Sequence, residues 1–254
     1  MTSKDFIMRL KCTAQFKTYY VKGGFGILLD ENGKARVIKQ YKYNKDRADK
    51  INALSDDYFG FDCCGLIKGI LWGFIGDENQ IYGGARYESG NVNDVNEKGL
   101  FQECFDISDD LSNIEAGEFL YMPGHCGIYI GNDAVIESTP SGSCGVQITN
   151  INRVKWKAHG KLKYIQYSAN EEVIAGKPKP TAPAIYLKQG SRGVRVLQLQ
   201  ECLNYFFGEK TLETDGVFGP LTKDALCQFQ RNMHLVIDGV YGPHTQKKLR
   251  EVLK

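Results

Sequence analysis

The sequence predicts an α+β fold: one long apolar helix packed on an antiparallel sheet, then a linker, then a small all-α module of three helices. Three observations predict it. Apolar residues recur at Leu66, Ile67, Ile70, Leu71 and Phe74, the one-face spacing of a helix. Short β-forming runs follow at Phe119–Tyr121, His125–Ile130, Ala134–Ser138, Gly145–Thr149 and Leu162–Tyr167. Near the C-terminus, Asp215-Gly216-Val217-Phe218-Gly219-Pro220-Leu221-Thr222 recurs as Asp238-Gly239-Val240-Tyr241-Gly242-Pro243-His244-Thr245. One helix ahead of a meander is an α+β plan. The expected boundaries are 1–167 for the first domain, 168–184 for a Pro-rich linker and 185–254 for the helical module.

Taken in order, residues 4–17 read as a short amphipathic helix carrying Phe6, Ile7, Leu10 and Ala14. Thr18 to Gly26 is rich in aromatics and glycine and reads as a tight loop where backbones approach closely. Residues 27–60 are polar and read as an excursion, with Asp30-Glu31-Asn32-Gly33 as a turn. Residues 76–100 read as loop with short helical pieces. Ala175 to Ala184 carries three prolines and no apolar period, as a semi-rigid linker does. In the C-terminal module each Asp-Gly is a turn, and each Gly-Pro starts a helix where no N–H is needed. The expected buried residues there are Val196, Leu199 and Leu203, then Ala225, Leu226 and Phe229, then Leu249, Val252 and Leu253.

Charge argues for no special partner. A net charge of +2, with no dense Lys/Arg run, gives no reason to expect nucleic acid. No apolar stretch approaches the ~20 residues of a membrane span. The N-terminus has neither an apolar h-region nor a small-residue cleavage site, so no Sec leader is read in it. The expectation is a chain made in the cytoplasm and released by another route, or one whose leader has been removed. The eight cysteines show no C-x-x-C pair and no zinc-type Cys/His spacing, and read as reduced thiols. No metal or organic cofactor and a monomeric state are expected.

The candidate site starts at Asp62-Cys63-Cys64-Gly65. Asp62 is a good N-cap. On a helical wheel Cys63 lies mid-face and Cys64 at the edge, so Cys63 points at whatever the helix packs on and Cys64 points sideways. A thiol at a helix N-terminus feels the positive end of the dipole, which favours the thiolate a nucleophile needs. The plainer reading is a buried core cysteine. His125 opens a strand and shares a face with Gly127 and Tyr129; Gly127 is expected to leave open space beside the imidazole. Alone, such a histidine also reads as tucked into a strand end. Glu137 faces the same side if Gly131–Asp133 is a three-residue loop; a two-residue loop reverses that parity. On the same face its carboxylate orients the imidazole; on the other it is a surface group. His159, in a Lys-rich turn and expected to be exposed, is the rival third group.

These residues resemble a family. Asp62-Cys63-Cys64-Gly65-Leu66 is similar to the D-C-S-G-L motif of NlpC-type cell-wall peptidases, a papain-like superfamily, with Cys64 in place of the small hydroxyl residue. His125-Cys126-Gly127-Ile128-Tyr129-Ile130-Gly131 is similar to that family's H-V-G-I-Y-I-G strand. The resemblance maps the nucleophile to Cys63, the base to His125 and the third polar residue, often His, to Glu137. Thr18-Tyr19-Tyr20-Val21-Lys22-Gly23-Gly24 resembles the T-P-Y-V-W-G-G segment and maps a site tyrosine to Tyr20, though Lys22 departs from the usual Trp. The C-terminal module resembles the three-helix peptidoglycan-binding domain, through Gly190-Ser191-Arg192-Gly193, Leu199-Gln200, both Asp-Gly repeats and Phe229-Gln230.

The resemblance implies a thiol hydrolase that acts at the bacterial cell wall and cuts an amide in peptidoglycan stem peptides, with peptidoglycan as its partner. The family's usual bond joins D-glutamate to a diamino acid; an N-acetylmuramoyl-L-alanine amide is the runner-up. The absent leader pattern fits a phage- or prophage-type endolysin. A non-catalytic wall-binding protein is the alternative from another class, and an intracellular transglutaminase or acyltransferase fits a wall-binding module poorly.

Overall fold

The computed structural model describes residues 1–167, 180–207 and 212–253. It divides into two compact units, Met1–Ala169 and Asn170–Lys254. The α+β expectation is met, with an antiparallel sheet in the first unit and helices in the second. Among the described residues no helix is long and apolar enough to cross a membrane.

Helix α1 (Ser3–Thr13) starts on Thr2, whose hydroxyl accepts from the Asp5 N–H, and buries Phe6 and Leu10. It ends four residues before Lys17, an exposed residue paired with Asp57 at 2.8 Å. Strands β1 (Thr18–Tyr20) and β2 (Phe25–Leu28) flank the expected close approach at Gly23-Gly24. Residues 27–60 are more than an excursion. They form helices α2 (Glu31–Gln40), α3 (Lys42–Lys45) and α4 (Ala48–Asn52), which return to strand β3 (Phe59–Phe61). Val21, Ile27, Leu29, Val37 and Ile51 form their own buried cluster. So few apolar positions, spread over short helices, leave no long period to read. β3 is central in a three-stranded sheet, parallel to β1 and antiparallel to β2.

Helix α5 (Cys63–Leu71) follows at once. Every residue from Cys63 to Ile70 is buried, including Lys68, whose ammonium is tied to Asp94 and to the Val95 carbonyl. The chain continues through α6 (Glu97–Gln102), β4 (Cys104–Ser108), β5 (Phe119–Met122), β6 (His125–Gly131), β7 (Ala134–Thr139), β8 (Gly145–Asn150) and β9 (Ala158–Leu162). The six strands form an antiparallel sheet in the order β4-β9-β5-β6-β7-β8. One face packs α5 and α1 through Leu66, Ile67, Ile70, Cys126, Ile128 and Ile136. The other is covered by a smaller cluster of Leu120, Val135, Ile151 and Trp156.

The last strand lies earlier than expected, at Ala158–Leu162 rather than Leu162–Tyr167. The lysines of 155–161 hid it: Lys155, Lys157 and Lys161 make the stretch read as a wet turn, although Trp156, Ala158, His159 and Gly160 are buried. The connection between β6 and β7 is the two-residue turn Asn132-Asp133, both at positive φ, not a three-residue loop. A bulge at Ile130 offsets the lost residue, so Ile128 pairs Ile136 and Gly127 comes opposite Glu137. The parity that puts Glu137 on the His125 face therefore survives the shorter turn.

The second unit holds α7 (Val194–Phe207), α8 (Pro220–Asn232) and α9 (Pro243–Val252) around Val196, Leu199, Leu203, Phe218, Leu226, Phe229, Tyr241 and Leu249. Pro220 and Pro243 each open a helix after an extended glycine. Val252, expected in the core, is 37% exposed, because it ends α9 while its neighbour Leu253 turns inward. The two repeats share one device. The buried Gln200 amide donates to Asp215, the Val217 carbonyl and Thr222, and its oxygen accepts from the Gly216 N–H. Gln230 makes the same four bonds to Asp238, Val240, Thr245 and Gly239. Residues 168–179 of the expected linker lie outside the described residues; Ala182 and Pro183 at its end belong to this unit, Ala182 buried and Pro183 accepting from the Tyr241 hydroxyl.

Candidate active site

Asp62 fixes the start of α5. Its carboxylate accepts from the Gly65 N–H at 2.6 Å, as an N-cap does, and from the Gly23 N–H at 2.7 Å. The helix start and the Gly23-Gly24 turn are thus held by one side chain. They are held so close that a Cβ at Gly65 would sit 1.8 Å from the Gly24 carbonyl oxygen. Burial pushes the Asp62 carboxyl up to about 6, and the neighbouring Cys63 adds to the shift.

Cys63 and His125 meet. The Cys63 thiol lies beside the imidazole, close enough for each to shift the other's titration, and the imidazole opens β6 where α5 packs against it. Cys63 is 7% exposed. Cys64 does not point aside: its Sγ lies 3.9 Å from that of Cys63 and 3.7 Å from that of Cys126, which projects from β6 toward the helix. The Cys126 and Cys64 thiols, then His125, hold Cys63 well below the usual thiol range against the cost of burial, while Cys126 is driven up by its own burial. One thiolate therefore sits among two neutral thiols. Burial alone would lower His125, but its bonds to Cys63 and Glu137 outweigh that and raise it to about 9. The pair favours thiolate and imidazolium.

Glu137 completes the row. It is 1% exposed and bonds His125 Nε2, which leaves Nδ1 for Cys63. Its carboxylate also accepts from the Thr149 hydroxyl and from Arg153 through both Nε, at 2.9 Å, and Nη2. Burial would raise Glu137, but His125, Arg153 and Thr149 hold it below the usual carboxylate range. His159, the rival, is not exposed. It is 2% exposed on β9, bonded to Glu118 and to the Asp110 carbonyl, and serves the sheet's far end. Gly127 leaves no open space: a Cβ there would lie 2.7 Å from Val135 and 3.2 Å from the Ile136 carbonyl oxygen. The open glycine is Gly124, with nothing within 4 Å, just ahead of His125.

Tyr20 lies beside Cys63, whose charge adds to burial in raising the phenol. β1 is brought there by β8: the Tyr20 N–H donates to the Cys144 carbonyl, and Thr18 accepts from the Val146 N–H at 2.9 Å. The 27–60 region reaches the site as well. Buried Asn44 bonds the Lys22 N–H and carbonyl, each at 2.9 Å, and so sets Tyr43 edge-on to Tyr20, with Arg47 over the Tyr43 ring.

Four neighbours escape a reading of the sequence: Arg153, Thr149, Trp156 and Tyr43. Trp156 stacks on His125 with centroids 5.6 Å apart and planes 20° from parallel. Strand alternation places Thr149 on the Glu137 face, since it pairs Val135. Arg153 ends, and Trp156 follows, a tight turn at Ile151–Arg153 that carries no periodic signal.

A thiol at the start of α5, an imidazole on β6 and a carboxylate on β7 stand side by side. The chain accordingly carries a domain of the NlpC/P60 family at residues 38–163 and a putative peptidoglycan binding domain at residues 192–249. Together they mark a cell-wall hydrolase. Tyr20 lies outside both matched spans. The crystal structure of the SleB N-terminal domain is similar at 36% identity over 28% of this chain and 97% of that one, with a TM-score of 0.27. A periplasmic domain of the EpsAB fusion protein of the Vibrio vulnificus type II secretion system is similar at 16% identity, over 52% of this chain and 53% of that one, with a TM-score of 0.26. No curated protein matches the chain significantly.

Proposed function

We propose that the chain is a cysteine peptidase of peptidoglycan stem peptides, acting between D-glutamate and the diamino acid, of the kind phages and prophages use as endolysins. The observation that supports this most is the row Cys63–His125–Glu137 on facing elements, with Nε2 of the imidazole on the carboxylate and the thiol beside the ring. Cys63 thiolate attacks the carbonyl carbon. The tetrahedral oxyanion takes the first-turn amide of Cys63 and the Tyr20 hydroxyl as donors. His125, protonated at rest, gives its proton to the leaving amine as the C–N bond breaks. It then takes a proton from water as hydroxide releases the acyl group and Cys63 is regenerated. Glu137 keeps the ring turned and its charge in place. The C-terminal unit raises the local concentration of the catalytic unit on the wall.

The test is digestion of purified sacculi by the full chain and by Cys63→Ala, with mass spectrometry of the products. New D-glutamate carboxyl and diamino-acid amino termini, absent with the variant, are expected. A freed L-alanine amine with intact lactyl groups moves the assignment to the muramoyl amide bond. Equal absence of products from both proteins, with both still bound to the wall, overturns the enzyme in favour of a wall-binding protein.

A further inference from the structure

Cys64 and Cys126 are not needed for the Cys63–His125–Glu137 row, yet both point at Cys63. Among the described residues, Cys63, Cys64 and Cys126 are the group of His, Cys and acidic side chains gathered closely enough to share one ion, all three sulfurs within 4.8 Å of one another. Two of the separations are 3.9 and 3.7 Å. With a third side of up to 4.8 Å, the circle through the sulfurs has a radius of about 2.1–2.5 Å. A zinc–thiolate bond is about 2.3 Å long. An ion at the centre of this triangle would reach all three ligands with little movement of the backbone.

The surroundings suit such an ion. The cluster is lined by Leu66, Ile128 and other apolar side chains, so it is dry, and soft thiolates favour d¹⁰ cations over magnesium or calcium. The ligands come from α5 and β6, two elements packed on each other rather than a flexible loop. Because they lie 62 residues apart, no C-x-x-C spacing announces them. Three protein ligands leave a fourth position open.

We propose that Cys63, Cys64 and Cys126 form a three-thiolate site for a zinc-class cation, and that an ion bound there withdraws the Cys63 sulfur from attack. Cys64 and Cys126 release their thiol protons to solvent on ligation. The ion makes the protein silent but reversible, because a chelator returns the free thiolate. The effect on turnover rests on the cysteine-peptidase reading; the binding does not.

The experiment uses the full chain, reduced and freed of metal, titrated with Zn²⁺ alone under chelator-buffered free concentrations, and with Co²⁺ for its thiolate charge-transfer absorption. One ion per chain is expected, with the Co²⁺ band present. Cys64→Ser and Cys126→Val are each expected to weaken binding at least about tenfold, the loss typical of an altered metal site. Far-UV circular dichroism confirms that each variant is folded. Wall-digesting activity should fall with occupancy and return with chelator, each variant being compared with its own metal-free rate. Absence of binding to fully reduced protein overturns the site, as does binding that neither substitution weakens. If sacculi are never digested but the ion binds through these thiols, the peptidase reading fails and the metal site stands. Digestion indifferent to bound Zn²⁺ overturns the block on Cys63.

Discussion

Replacing Glu137 by Gln tests the row most directly, because it removes one charge and keeps the shape. His125 titrates near 9, about 2.5 above the ordinary histidine value of 6.5. Two partners share that rise, and Cys63 contributes more than Glu137. Loss of Glu137's charge should therefore lower His125 by about one pH unit, or about 1.4 kcal/mol. In the proposed mechanism the imidazolium is the proton donor, so activity falls as pH rises through its pKa. The alkaline limb of kcat/KM on soluble muropeptides, near pH 9 in the parent, is expected near pH 8 in the variant. Stability moves with the same sign: a raised histidine contributes most below 6.5 and loses that contribution as pH rises through about 9. The drop in melting midpoint between neutral and alkaline pH should therefore be smaller in Glu137→Gln. The assay is a pH series from 5 to 10, with a thermal melt at each end. A variant that melts as one folded protein but keeps the parental alkaline limb refutes the claim that Glu137 sets the imidazole's charge.

Three further outcomes follow from the packing. Gly65→Ala places a Cβ 1.8 Å from a backbone oxygen that cannot rotate away; a loss of about 2–3 kcal/mol, seen as a fall in melting midpoint of about 5–10 °C, is expected. Tyr20→Phe should lower kcat about tenfold to a hundredfold with KM little changed, since it removes a proposed oxyanion donor and little ground-state binding; an unchanged kcat removes Tyr20 from the mechanism. Gln230→Leu strands the Gly239 N–H and frees the second Asp-Gly turn; a loss of about 2–3 kcal/mol in the C-terminal unit is expected, with weaker sedimentation on sacculi.

The main outline of the fold was legible because its signals are local. Asp62 before an apolar helical period, alternating runs around His125 and Ala134, and two copies of Asp-Gly-Val-aromatic-Gly-Pro each need only a few neighbouring residues. What stayed hidden depends on distance or on cancellation. Asn44 joins α3 to Lys22 across 22 residues. Trp156, Ala158, His159 and Gly160 were masked by the lysines among them, of which Lys155 and Lys157 face water. At Ile130 two departures cancel: the turn is one residue shorter than expected, and a bulge restores the register. The right face for Glu137 was thus reached from a loop length that the chain does not have. Gly127 misled for a related reason. A glycine beside a histidine reads as room for substrate, whereas here it makes room for Val135 and the Ile136 carbonyl.

Arg153 explains why the carboxylate can be buried at all. Cys63, His125, Glu137 and Arg153 make a row of alternating charge: thiolate, imidazolium, carboxylate, guanidinium. A buried carboxylate facing only a histidine would take a proton whenever the histidine lost its own, because burial penalises an unpaired charge. The guanidinium is only partly buried and bonds both carboxylate oxygens. It therefore holds Glu137 ionised through the proposed cycle, in which Cys63 and His125 both lose and regain their charge. A histidine in the third position would need no such counter-ion, since it can orient the ring as a neutral group. The Glu137 departure from the family's pattern and the Arg153 turn after β8 are then two parts of one electrostatic solution.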